Sequence, residues 1–193
     1  MAGESREVLK AILPDIFADK ELLPSVFIKK YWSVFETKFP KSELRGPVFE
    51  LLLASTFCRT QLFPFYKGAQ IGFIPGIKYD FVFYTVEHGP IVISAKTSLR
   101  ERWKQADLEA MALKNVHRKS LSYLVTLDKD AVRTRREKEA ESIGLNGFVM
   151  ADHSEFDELI ESLGKMSIVE APEIKAIETG AFITDKNFKE HLH

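Results

Sequence analysis

Apolar residues recur at helical spacing early in the chain and give way to strand-like runs in its middle. In residues 23–39 (LPSVFIKKYWSVFETKF), Val26, Phe27, Tyr31, Val34 and Phe35 recur at the spacing of one helical stripe. Residues 5–39 read as helical pieces broken at Pro14, Pro24 and Pro40. Ser42 stands where it would cap a helix over 43–58, with Gly46-Pro47 in the first turn, where proline is tolerated. The run VFELLLASTF is nearly all apolar except for Glu50, so that helix is expected to be buried. Residues 61–76 mix aromatics with Gly and Pro and predict a strand or loop leading inward. Two β runs follow, IKYDFVFYT (77–85) and PIVISAKT (90–97), joined by Val86-Glu87-His88-Gly89, which predicts a hairpin. Residues 99–118 hold strong helix formers and no Gly or Pro. A buried strand over 120–127, a charged helix over 128–142 ending at Gly144, and a short strand over 147–151 come next. A helix capped by Asp152 or Ser154 runs to about 163 and stops at Gly164. Beyond 165 the pattern is less regular and predicts a tail or arm.

This order predicts an α/β architecture, a central mixed β-sheet flanked by helices. The expected organisation is a helical extension over 1–42 packed on a core over 43–165, then the tail over 166–193. A chain of 193 residues fits one domain and can bury its core without covalent staples. The lone Cys58 excludes an intrachain disulfide and fits a reducing compartment. The N-terminal stretch mixes charges into its first turns, unlike a signal peptide, and no apolar run approaches the roughly 20 residues that span a bilayer. No membrane partner is expected, and a cytoplasmic location is. Net charge is −1, which counts against coating nucleic acid nonspecifically. The charge is uneven, however. Segments 96–104, 114–119 and 129–138 are rich in Lys and Arg, which allows a local basic groove.

The candidate chemistry sits in the two β runs. Asp80 interrupts an apolar strand, where a carboxylate is costly without a cation or donors; the plainer reading is a strand-end acid facing solvent. Lys96 closes the second run, and Ser94 shares its face. A hairpin brings Asp80 and Lys96 toward one sheet end, as a simple salt bridge or as a metal ligand beside a lysine. A catalytic Mg²⁺ usually takes one or two carboxylates with phosphate and water oxygens. On the next helix, Arg102, Gln105 and Glu109 share a face, and Trp103, Ala106, Ala110 and Leu113 form a more apolar side. Glu109 is then a second ligand or an ordinary surface acid. Glu50 ranks lower, as a ligand through water or as the partner of a nearby Arg.

Asp80 followed by Ser94-Ala95-Lys96 resembles the PD-(D/E)xK nuclease superfamily. Tyr79 stands where that pattern has Pro, and Ser94 where it has an acid. One branch of type II restriction endonucleases, which includes readers of CCGG and related sites, carries Ser or Thr there. In that branch a Glu on the next helix supplies the missing carboxylate. Glu109 matches that place, and SAKTSLRERWKQADLEA (94–110) is similar to that branch. The resemblance covers roughly 43–163. It implies a restriction-endonuclease-like core and phosphodiester hydrolysis of double-stranded DNA. Asp80 and Glu109 would bind Mg²⁺, with Mn²⁺ as a substitute, Lys96 would position water and Ser94 would hydrogen-bond near the metal. Arg100, Arg102, Lys104 and Gln105, at the Arg-rich helix start, would meet DNA. A homodimer, or a larger recognition subunit, is the expected partner. Alternatives are a catalytic subunit of a heteromeric enzyme, a structure-specific repair nuclease, and a non-catalytic DNA-binding protein. No Ser-His-Asp or Cys-His system and no Gly-rich phosphate loop is apparent.

Overall fold

A computed structural model of the chain describes residues 2–74, 76–100, 102–137, 143–172 and 177–192. In chain order these form α1 (Ala2–Ile12), α2 (Pro24–Lys38), α3 (Arg45–Arg59), β1 (Phe65–Ile71), β2 (Tyr79–Thr85), β3 (Gly89–Lys96) and α4 (Arg102–Val116). They continue with β4 (Leu121–Thr126), α5 (Lys129–Glu137), β5 (Gly147–Met150), α6 (Ser154–Gly164), β6 (Ile177–Ile183) and α7 (Phe188–Leu192).

The strands make one mixed sheet in the order β5-β4-β3-β2-β1-β6. The hairpin of β2 and β3 is antiparallel, with Phe81 opposite Ile93 and Thr85 opposite Gly89. β3 then pairs parallel with β4, and β4 with β5. A parallel neighbour requires a crossover, and α4 supplies it. β3 is therefore covered on both faces, and its run from Pro90 to Ala95 is buried throughout. That double cover is why its sequence is continuously apolar instead of alternating.

One face of the sheet carries the larger core. Phe57 of α3 packs edge-on against Phe65, Phe81 and Phe83, with ring centroids 5.5, 5.2 and 5.1 Å away. Residues of α1, α2 and α6, including Leu9, Phe27, Phe35 and Phe156, join the same cluster. On the other face Leu113 of α4 packs with Tyr79, Val82 and Val92, and Trp103 and Ala106 pack with Leu124, Val132 and Met150. Among the described residues, no helix is long and apolar enough to cross a membrane.

Four local expectations are corrected. α3 begins at Arg45, and Ser42 instead accepts the Leu44 N–H in a turn ahead of it. α4 begins at Arg102, because the Leu99 N–H is held by Asp128 at 2.9 Å, outside the helix. His153 takes the N-cap position of α6 without a side-chain bond. Asp157 in the first turn of α6 instead serves α2, accepting both the N–H and the hydroxyl of Ser25 at 2.8 and 2.7 Å. The stretch after 165 is not an irregular arm. It supplies β6, which pairs along the whole of β1, and α7. Its sequence hides this, because an edge strand needs apolar residues on few positions and Gly180 interrupts the run. Glu101 and residues 138–142 of the expected charged helix lie outside the described residues.

Candidate active site

The site starts where the hairpin ladder ends. The paired positions of β2 and β3 stop at Phe81 and Ile93. A continued ladder would set Ala95 against Tyr79, but the Asp80 side chain takes over. Its Oδ2 accepts the Ala95 N–H at 2.8 Å and the Lys96 ammonium at 2.7 Å. The two side chains are 20% and 22% exposed, so this ion pair is screened less than a surface pair. Both bonds use one oxygen. The other, Oδ1, faces no hydrogen-bond donor among the described residues.

α4 brings the second carboxylate. Trp103, Ala106, Ala110 and Leu113 are buried against the sheet, which rotates Glu109 toward the open end of the hairpin. Gln105 donates to Glu109 Oε1 at 2.8 Å, and the Tyr79 hydroxyl donates to the Glu109 backbone carbonyl at 3.1 Å. Burial raises the Glu109 pKa above the usual carboxylate range. The Gln105 hydrogen bond and the charge of Lys96 lower it in part, and the charge of Asp80 raises it further. Glu109 is thus a desolvated acid within electrostatic reach of both other groups.

A stability consequence follows. With its folded-state pKa raised, Glu109 favours folding most below its unfolded value. That contribution is lost as pH rises through the folded value. Glu109→Gln is therefore expected to raise the Tm of metal-free protein by a few degrees near neutral pH, and by less under mildly acidic conditions. Thermal unfolding in chelator at both conditions checks this.

Loops gather around the same sheet end. It is the carboxyl end of the parallel strands β3, β4 and β5, where α/β sheets commonly place ligands. Asp128, just after β4, pins the loop after β3 through Leu99 and caps α5 through the Ala131 N–H. Gly68, Phe73, Gly76 and Arg100 all have positive φ here. Non-glycine residues in that region carry strain of order 1 kcal/mol or more, and such residues cluster at functional sites. Arg100, Arg102, Lys104 and Gln105 are exposed at this end. By contrast Lys119, His117 and Arg118 lie at the far end of the sheet. There they line a cavity of about 400 Å³ with Glu87, His88 and Glu170.

The structure thus brings Asp80, Lys96 and Glu109 together, with Ser94 buried on β3 two residues before Lys96. Glu50 lies on α3, on the opposite face, and its partner is Lys67 of β1 at 2.6 Å, not an Arg. Two residues with clear roles here were not singled out in the sequence. Tyr79 is one. Asp107 is the other: it is buried and accepts the N–H groups of Ile143, Gly144 and Leu145, the closest at 2.8 and 2.9 Å. Its signal was an acid set between Ala106 and Ala110 on the apolar side of α4.

The donor set suits a hard divalent cation. Two carboxylates converge, one with an oxygen that meets no donor among the described residues and one desolvated. Among the described residues no group of three or more His, Cys, Asp or Glu forms a closed metal cage. A hard divalent cation commonly takes one or two carboxylates and fills its other positions with water and phosphate oxygens.

No family model matches the chain, and no curated protein matches it. Among solved structures it is similar to the restriction endonuclease PspGI in complex with substrate DNA. The TM-score is 0.55 at 16% identity, covering 97% of this chain and 86% of that one. At that identity the likeness establishes the fold: a mixed six-stranded sheet flanked by helices, of the restriction-endonuclease type.

Proposed function

We propose that the chain is a Mg²⁺-dependent endonuclease that hydrolyses phosphodiester bonds of double-stranded DNA at specific sites. The observation that carries the reading is the convergence of Asp80, Lys96 and Glu109 at the open end of one hairpin, on a restriction-endonuclease fold. Asp80 and Glu109 would hold the ion, with Mn²⁺ able to replace it. When bound, Mg²⁺ supplies Lewis-acid polarisation of the phosphate and acidifies water. Lys96, anchored on Asp80, orients the attacking water and balances the charge that develops on the phosphoryl oxygens. Water attacks phosphorus in line, the P–O bond to the leaving strand breaks, and a proton returns to the departing oxygen. Ser94 would hydrogen-bond near the ion and is not the nucleophile. Arg100, Arg102, Lys104 and Gln105 contact phosphates or base edges of the duplex.

Cutting both strands of a symmetric site requires two active sites, so the working form is a homodimer. Chains that need a larger recognition subunit, or that cut by DNA structure, share this chemistry. The cleavage products separate them.

The test is incubation of mixed plasmid DNA with Mg²⁺, for wild type and Glu109→Ala. Discrete bands from wild type, with a loss of about a thousandfold in the variant, are expected. Full activity of Glu109→Ala removes Glu109 from the reading. DNA binding without cutting under any metal replaces the enzyme with a DNA-binding protein of nuclease fold.

A further inference from the structure

Strict alternation along β2 would send Tyr79 to the same sheet face as Phe81. Phe81 packs on Phe57 of α3, yet Tyr79 packs with Val82, Val92 and Leu113 on the α4 side. The neighbouring strand makes the same switch. Lys67 reaches Glu50 of α3, whereas Ala69 lies in the α4-side cluster. Between them stands Gly68 at φ +62, and the paired positions pass from Lys67–Phe81 to Ala69–Tyr79. Both strands turn over at one point. At φ +62 a side chain at position 68 would be strained, which is why glycine stands at this turnover.

The turnover has two effects on adjacent residues. It leaves Asp80 directed along the sheet to the Ala95 N–H, and it swings Tyr79 under α4. Tyr79 is 1% exposed there, and its hydroxyl donates to the Glu109 carbonyl at 3.1 Å. A mid-helix carbonyl already accepts one bond from the next turn, and its second lone pair is free for the phenol.

We infer that Tyr79 is a positioning residue: by tying the start of β2 to the main chain of α4 at Glu109, it sets the spacing at which the Asp80 and Glu109 carboxylates face each other. The inference rests on the nuclease reading, because it takes those two carboxylates as the metal pair. It adds a third group to the pair, one that touches neither metal nor DNA.

Tyr79→Phe keeps the ring and removes one hydrogen bond. The test measures Mn²⁺ binding by electron paramagnetic resonance, and the Mg²⁺ dependence of cleavage, for wild type, Tyr79→Phe, Glu109→Gln and the double variant. The expected result for Tyr79→Phe is metal affinity lower by about tenfold, as for other groups that orient ligands, with cleavage recovered at high Mg²⁺. In the Glu109→Gln background the same change has no further effect on affinity, because the ligand it positions is gone. Unchanged affinity in Tyr79→Phe, with only a lower Tm, overturns the inference and leaves the nuclease reading intact. Wild type that binds no metal overturns the nuclease reading and the inference with it.

Discussion

Asp80→Asn is expected to lower plasmid cleavage by about a thousandfold or more while leaving Tm within a few degrees of wild type. The two effects separate because Asp80 has two jobs. Its Oδ2 closes the end of the hairpin by accepting the Ala95 N–H and the Lys96 ammonium. An asparagine carbonyl oxygen can accept both, so the strand end stays closed. The charge, however, is gone, and with it the hold on a divalent cation worth several kcal/mol to the transition state. About 4 kcal/mol corresponds to about a thousandfold in rate. Asp80→Ala should lose activity equally and also lose stability. Unlike asparagine, it leaves both the Ala95 N–H and the Lys96 ammonium, only 22% exposed, without an acceptor. Single-turnover cleavage and thermal unfolding of the three proteins decide the matter. Activity of Asp80→Asn near wild type would remove Asp80 from the site.

Asp107→Ala is expected to be the most damaging change away from the site, costing about 3–5 kcal/mol and lowering Tm by roughly 10 °C. The carboxylate gathers three successive N–H groups, of Ile143, Gly144 and Leu145, where the chain crosses close over α4 at the buried Gly144. Removing it strands the buried Gly144 N–H and weakens the anchoring of Ile143 and Leu145 beside it, and hydrogen bonds to a charged group are worth about 1.5–3 kcal/mol each before their interdependence is counted. The crossing has no room to relax, since a Cβ on Gly144 would lie 2.3 Å from the Asp107 carbonyl oxygen. A total stability of about 5–15 kcal/mol makes such a loss visible in denaturant unfolding. Leu108→Ala is the control. Leu108 itself is 64% exposed, and its truncation should change stability by less than about 0.5 kcal/mol.

These two acids show what the sequence discloses and what it hides. Asp80 was legible because it breaks an apolar strand, and Lys96 because it ends one. Their meeting needed only a hairpin, and Val86-Glu87-His88-Gly89 announced that hairpin. Glu109 was singled out by the helix face it shares with Arg102 and Gln105, which left it a ligand or a surface acid, and the resemblance gave it the ligand's place. Asp107 stood in plain view on the apolar side of the same helix, yet its partners lie 36–38 residues away and are main-chain groups, which leave no mark in a sequence. The Tyr79 contact hides for the same reason, and Gly68 gives only a hint of the turnover that permits it. The caps failed alike. α2 is served by Asp157, 132 residues distant, a partner that local rules cannot supply. β6 escaped notice because an edge strand is specified mostly by its neighbour's backbone.

The far end of the hairpin has a practical use. Val86, at the tip, is 70% exposed, while the strand ends beside it are clamped by the 167–169 stretch. The Val86 N–H reaches the Ser167 carbonyl at 3.1 Å and the Val169 N–H reaches the Tyr84 carbonyl at 2.9 Å. Cys58 is 1% exposed, and burial raises its thiol pKa, so it will not compete for thiol reagents. A cysteine introduced at position 86 would therefore take a dye or a surface tether in the otherwise unaltered chain. The attachment would ride on the same two strands as Asp80 and Lys96, roughly 20 Å along β2 from Asp80 at about 3.3 Å per residue. Anchored there, each molecule would present its open end outward, so that encounters with single DNA molecules could be counted from a known orientation.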